Sequence, residues 1–142
     1  LAIFSDAEGA VFGAMRMDGG DPEDYLAEPG EWIWIQLLSR DAVKAGDFYG
    51  QLAPYELFDN ALSESSGSYV LASAGYARAG LVTIPAERTD IQPTWLPFVR
   101  VASIVEAVAR VQPLGGRVLV APRQDLADGR TVDLGMNRLQ IG

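Results

Sequence analysis

The sequence contains no cysteine and no histidine among its 142 residues. Without cysteine the chain forms no disulfide, has no thiolate nucleophile and offers no sulfur ligand to zinc. Without histidine it lacks the most common metal-binding side chain, the usual general base near neutral pH and the central member of a Ser-His-Asp triad. These two absences exclude a large share of hydrolase and metalloenzyme chemistry.

Basic residues are also few, since 11 Lys and Arg stand against 19 Asp and Glu, for a formal net charge of −8. A surface of this sign repels phosphate backbones, so we expect no nucleic-acid partner. No run of residues approaches the ~20 consecutive apolar positions of a membrane span, so we expect no membrane partner. Residues 1–6 (LAIFSD) lack the basic and apolar regions of a signal peptide. The composition predicts one globular domain, and we expect it to be cytoplasmic.

Hydrophobic periodicity predicts a fold of the α+β class. Residues 31–38 (EWIWIQLL) are typical of a strand, and residues 41–52 carry apolar side chains at helical spacing. Either Ser39 or Asp41 can cap that helix, and Ser103 can cap a second one. Further strands are predicted at 1–4, 10–15, 55–58, 69–74, 80–84, 95–101, 117–120 and 137–141.

The pattern of strand and helix occurs twice. Asp41 in the first unit corresponds to Ser103 in the second, and further apolar helix positions match at the same separation of 62 residues. The sequence therefore predicts two strand–helix–strand–strand–strand (βαβββ) modules. The matched helix positions are Ala45 with Ala107, Tyr49 with Val111, and Leu52 with Leu114.

We assign residues 31–93 to the first module and residues 94–142 to the second, which lacks its last strand. Residues 18–30, rich in Gly, Pro and acids, are assigned to a linker, and residues 1–17 to a closing hairpin. That hairpin is either the tail of a preceding module or the source of the missing strand. Because an unpaired strand edge is costly, we expect it to complete the second module, in cis or from a neighbouring chain.

This order of elements and three local motifs resemble the glyoxalase/bleomycin-resistance (vicinal oxygen chelate) superfamily, especially its two-domain bacterial members described as glyoxalase-like or hydroxylase-like. Residues 34–49 resemble the opening strand and helix, and residues 95–116 the second opening strand and helix. Residues 6–12 (DAEGAVF) resemble the closing hairpin, with Ala7 where the family has Pro. The resemblance implies paired βαβββ modules in a curved, mixed and mostly antiparallel sheet, with the helices on its outer face.

The resemblance also shows where metal-using relatives place their ligands. The corresponding positions here are Trp34 and Leu96 in the two opening strands and Gly13 in the closing strand, while residues 80–84 contain neither Glu nor His. Cations of this class bind oxygen or imidazole donors, which these side chains do not offer. We therefore predict no metal and no cofactor, and we favour a non-enzymatic role.

Strand alternation predicts a binding face across the two opening strands. The tryptophan rings of the first strand could stack on a planar or cationic ligand, and the Gln36 amide could hydrogen-bond to it. The Arg100 guanidinium in the second strand could hold an anion. The alternatives are that the rings fill a cavity, that the amide is satisfied internally and that the guanidinium makes an ion pair or lies on the rim. The predicted ligand-binding residues are Trp32, Trp34 and Gln36 in the first strand, and Leu96, Phe98 and Arg100 in the second.

The sequence thus predicts a metal-free domain that binds a small organic molecule in a concave cleft, for sequestration, sensing or resistance. One alternative is a metal-dependent enzyme of glyoxalase or dioxygenase type, and another is a non-catalytic module that supports a larger protein. We expect either a homodimer or pairing with another module of this fold. Arg78 and Arg88 are predicted to be solvated in loops, and a solvated turn is predicted around Asp125, Asp128 and Asp133.

Overall fold

The computed structural model describes residues 1–20, 25–60 and 66–122. Over these ranges the chain is an α+β protein, as predicted, with its helices on one face of a five-stranded sheet. The elements, in chain order, are β1 (Ala2–Ser5), β2 (Val11–Ala14), β3 (Trp32–Ser39), α1 (Ala42–Leu52), β4 (Glu56–Asp59), β5 (Ser68–Ser73), β6 (Tyr76–Thr83), β7 (Thr94–Val99) and α2 (Ile104–Val111).

The five-stranded sheet has the order β4-β5-β6-β3-β7. Only the β3–β6 pair is parallel, and the other three pairs are antiparallel, so the sheet is mixed and mostly antiparallel as predicted. Strand β7 contains Pro97 and lies at an edge among the strands that the structure describes. Proline in a strand favours such a position because it has no N–H to donate to a second neighbour.

Polar side chains fix where both helices begin. The Asp41 carboxylate accepts a hydrogen bond from the Lys44 backbone N–H at 3.1 Å and is the N-cap of α1. The Ser39 hydroxyl instead accepts from the Asp41 backbone N–H at 3.0 Å. The Ser103 hydroxyl accepts from the Glu106 backbone N–H at 3.2 Å, which confirms the predicted cap of α2.

The hydrophobic core lies between α1 and one face of the sheet. Leu37 in β3 and Leu81 in β6 are paired in register, and both are 0% exposed. They belong to a row of residues that oppose one another across all five strands, and α1 covers this row with Ala45 and Tyr49. The row, called the helix-facing row below, consists of Asp59, Tyr69, Leu81, Leu37 and Trp95.

The hairpin of β1 and β2 forms its own two-stranded sheet and packs beside this core. Ala10 is 1% exposed, and the Phe12 ring meets the Tyr49 ring edge-on with centroids 5.3 Å apart. Strand β2 contacts β7. Whether the hairpin completes the second module, and with it the predicted division of the chain, stays a prediction.

Two acidic residues in the hairpin turn bind the rest of the domain. The Asp6 carboxylate accepts a hydrogen bond from the Tyr49 hydroxyl at 2.9 Å, and that hydroxyl accepts one from the Trp95 indole N–H at 3.0 Å. The Glu8 carboxylate accepts from the backbone N–H groups of Arg40 and Asp41, just before α1. A negative charge there also complements the positive end of the helix dipole.

Three local predictions differ from the structure. Residues 117–120 form no strand, because β-prone residues make a strand only where a neighbouring strand pairs with them. Strand β6 begins at Tyr76, not at residue 80, because Ala74 and Gly75 form a tight turn with positive φ angles of 53° and 79°. Arg78, predicted in a loop, therefore lies in β6; Arg88, as predicted, is exposed outside any strand or helix.

Other predicted features lie outside the described residues: the strand at 137–141 and the acidic turn around Asp125, Asp128 and Asp133. Within the described ranges, no helix combines the length and the apolar character needed to cross a bilayer.

The helix-facing row gives a prediction for stability, at its buried Leu81. We expect Leu81→Ala to lower the free energy of unfolding by about 2–5 kcal/mol, because it removes a fully buried side chain and leaves a cavity. The matched control is Leu52→Ala, at a side chain that is 54% exposed, and it should cost much less. Urea unfolding measures both, and equal losses in the two variants would contradict this assignment of the core.

Tyr49 gives a prediction for alkaline pH. Burial raises the pKa of the Tyr49 hydroxyl above its ordinary value of 10.0, and the nearby Asp6 adds to the rise. Above pH 10 the unfolded chain releases this proton while the folded chain keeps it. The free energy of unfolding should therefore fall as pH rises, by at most about 1.4 kcal/mol per pH unit from this group. Urea unfolding between about pH 9 and 11 should show a shallower fall in Tyr49→Phe; an identical fall would contradict the assignment.

Candidate ligand-binding face

The sheet has a second face, directed away from α1 and called the open face below. It is built on a row of residues that lies one position from the helix-facing row on every strand. Because successive side chains of a strand point to opposite faces, this row points away from the core. The row consists of Phe58, Val70, Gly80, Gln36 and Leu96, each opposed to the next in the pairing of the strands.

Gly80 makes room at the centre of the open face. A Cβ atom at this position would lie 3.1 Å from Nε1 of Trp34 and 3.5 Å from Cγ of Gln36. The side chains of Trp34 and Gln36 therefore converge above the glycine, and the indole occupies space that any larger residue would claim. A glycine inside a strand often marks such a close approach.

Strand β7 supplies an apolar wall beside this pair. Phe98 is directly opposed to Trp34, and Leu96 is directly opposed to Gln36. In an antiparallel pair, directly opposed side chains share a face and lie within contact distance. Phe98 and Leu96 are 38% and 39% exposed, so the wall is open to an incoming molecule. Four of the six predicted residues are thus brought together.

The polar atoms of this group are accessible. Trp34 and Gln36 are half-buried, and neither side chain makes a hydrogen bond to another residue in the part of the chain that the structure describes. In the same part, every fully buried side-chain nitrogen or oxygen has a hydrogen-bond partner. The polar atoms of Trp34 and Gln36, which have no such partner, are therefore not fully buried. They offer one indole donor and one amide, which both donates and accepts.

Trp32 lies elsewhere than strand alternation predicts, and Arg100 makes a separate contact. A β-bulge between Trp32 and Trp34 shifts the register, so Trp32 is opposed to Val99 and leaves the face of Trp34. Its side chain is 69% exposed. Arg100 follows the end of β7, and its guanidinium donates a hydrogen bond to the Ala27 carbonyl. The bulge separates Trp32 from the group around Gly80, whereas a role for Arg100 in binding stays a prediction.

The donor set does not fit the metal site that the family resemblance implies. Trp34 and Leu96 share the open face. Gly13 lies in β2, where a Cβ atom added to it would be 3.3 Å from Cδ1 of Ile3. None of the three offers a metal donor. Over residues 1–20, 25–60 and 66–122, no three side chains of Asp, Glu, His or Cys are grouped as a cation would need.

Gly80 and the polar link through Asp6, Tyr49 and Trp95 are the features that sequence reasoning missed. The glycine does carry a signal, because it interrupts an otherwise apolar β-prone run. No sequence signal marks the hydrogen bonds of Asp6 and Trp95 to Tyr49, since they join residues that are more than 40 positions apart in the chain.

Comparison with known proteins shows a distant glyoxalase-like relationship. The chain is 29% identical over 97 residues to proteins named "Putative glyoxylase CFP32" from Mycobacterium bovis and from Mycobacterium tuberculosis. The matched region is 67% of this chain but only 37% of each relative, so this chain spans a minor part of their length. No family model matches the chain.

The space above Gly80 gives a prediction for the site. Gly80→Val should displace the Trp34 indole and lower the free energy of unfolding by about 1–3 kcal/mol, because the added carbons have no room. In a Trp32→Phe background, tryptophan emission should shift as the indole moves. The control is Ala86→Val in an exposed connector. Unchanged stability and emission in the Gly80 variant would refute the packing described here.

Proposed function

We propose that this chain binds a small planar organic molecule on its open face, without a metal ion, for sequestration or sensing. The observation that supports this most is the convergence of Trp34 and Gln36 above Gly80, both half-buried and with accessible polar atoms. A mostly apolar surface with a few placed polar groups is the usual character of a small-molecule site.

The residues at the site favour a particular class of ligand. The rings of Trp34 and Phe98 suit a flat aromatic molecule, and the Gln36 amide suits a ligand that both donates and accepts hydrogen bonds. The Arg100 guanidinium donates a hydrogen bond to the Ala27 carbonyl, so Trp34, Phe98 and Gln36 determine the favoured class. With a formal net charge of −8, neutral or cationic aromatic molecules are the favoured class.

The names of the relatives favour a second candidate, a metal-dependent enzyme of glyoxalase type. The residues at the expected ligand positions oppose it, because the side chains of Trp34 and Leu96 offer no electron pair to a cation and Gly13 has no side chain. A non-catalytic module in a larger protein is a third candidate, consistent with the minor share of each relative that is matched. A cytoplasmic location, and assembly as a homodimer or with another module, also belong to the proposal.

A titration tests binding directly. Neutral and cationic aromatic compounds, such as quinolines and phenazines, are added to the purified chain while tryptophan emission is followed, and calorimetry confirms any hit. We expect saturable binding by at least one compound at a stoichiometry of one per chain. The absence of saturable binding across both charge classes would overturn the proposal.

The amide gives a matched pair of variants. Gln36→Leu keeps the size of the side chain but removes its hydrogen bonds, so the dissociation constant for the compound identified should rise about tenfold. Gln92→Leu makes the same exchange at an exposed position outside the sheet and should leave affinity unchanged. Equal affinities of the two variants would show that Gln36 does not contact the bound compound.

Elemental analysis separates the first two candidates. The purified chain should hold far less than one equivalent of zinc, iron, nickel or manganese, and binding of the compound should be unaffected by a chelator. One tightly held equivalent, with binding lost on its removal, would favour the metal-dependent candidate and overturn the metal-free one.

A further inference from the structure

The Tyr49 hydroxyl connects three separate parts of the chain. It belongs to α1, donates to the Asp6 carboxylate in the turn of the hairpin at 2.9 Å and accepts from the Trp95 indole in β7 at 3.0 Å. The Tyr49 side chain is 4% exposed. A buried hydroxyl with both a donor bond and an acceptor bond is fully engaged, and a bond to a carboxylate is among the stronger kinds.

Other contacts already pack these parts together. The Tyr49 ring is edge-on to both Phe12 and Trp95, with centroids 5.3 Å away in each case. The Asp6 side chain also organises its own turn, because its second oxygen accepts from the backbone N–H groups of Glu8 and Ala10. The hydroxyl is therefore the only hydrogen-bonding group that joins the hairpin, α1 and β7 at one point within the described residues.

We propose that the Tyr49 hydroxyl is a positioning group that holds the N-terminal hairpin and β7 in a fixed relation to α1. Strand β7 carries Trp95 toward the helix and Leu96 and Phe98 toward the open face, so a shift of Trp95 moves the apolar wall as well. The effect on the wall extends to ligand binding only if the proposed function holds. The coupling itself is a property of the ligand-free chain.

Removing the hydroxyl leaves Asp6 and Trp95 each without the hydrogen bond to Tyr49. In Tyr49→Phe the ring contacts remain, but the Asp6 oxygen and the Trp95 N–H, both in half-buried residues, lose the hydroxyl they bond to. A buried polar group without a partner destabilises the arrangement that buries it. The hairpin and β7 should then open locally, since a two-stranded hairpin and an edge strand open more easily than the central strands.

Hydrogen–deuterium exchange of the full, ligand-free chain under native conditions tests this. In Tyr49→Phe the backbone amides of β1, β2 and β7 should exchange at least about tenfold faster, while those of β5 and β6 keep their rates. Tyr55→Phe is the matched control, because the Tyr55 hydroxyl makes no hydrogen bond to a described residue. It should change no rate.

Asp6→Asn provides a second variant that keeps an oxygen for the turn but removes the charged acceptor from the hydroxyl. It should reproduce the pattern of Tyr49→Phe. Unchanged exchange in β1, β2 and β7, or a uniform increase throughout the sheet, would overturn the proposal. Because no ligand is used, a failed ligand titration leaves this test intact, and the two failures can be told apart.

Discussion

The antiparallel register between β3 and β7 determines which residues form the core and which form the open face. Leu37 opposite Trp95 is directed toward α1, whereas Gln36 opposite Leu96 and Trp34 opposite Phe98 are directed away from it. A slip of one residue would exchange the two faces and bring an amide into the core. The buried Leu37 and the hydrogen bond from Trp95 to Tyr49 both oppose that slip.

The character of the open face depends on the absence of a side chain at Gly80. The neighbouring strand positions in the same row carry Val70 and Gln36, so the glycine lies between two larger residues. The indole of Trp34 uses this space, which brings its N–H beside the Gln36 side chain. The result is an apolar surface with two accessible hydrogen-bonding groups, the two features on which the proposed function depends.

Much of the fold could be predicted because it depends on local chemistry. Asp41 and Ser103 cap helices through their own neighbouring N–H groups, and the alternation of β3 near Leu37 places Trp34 and Gln36 together. The bulge beside Trp32 could not be predicted, since it depends on how β7 pairs with β3. The contact of Arg100 with Ala27 and the bond of Asp6 with Tyr49 join distant segments, which periodicity does not reveal.

The three tryptophans lie in three different environments and provide the most direct test of the account. Trp34 lies on the open face, Trp95 faces the helix, and Trp32 lies beyond the bulge. In heteronuclear NMR, each indole N–H gives one resonance that single tryptophan substitutions assign. On titration with a compound that binds, the Trp34 resonance should shift saturably while that of Trp95 keeps its position. A saturable shift of Trp95 with no change at Trp34 would contradict the assignment of the open face as the binding surface.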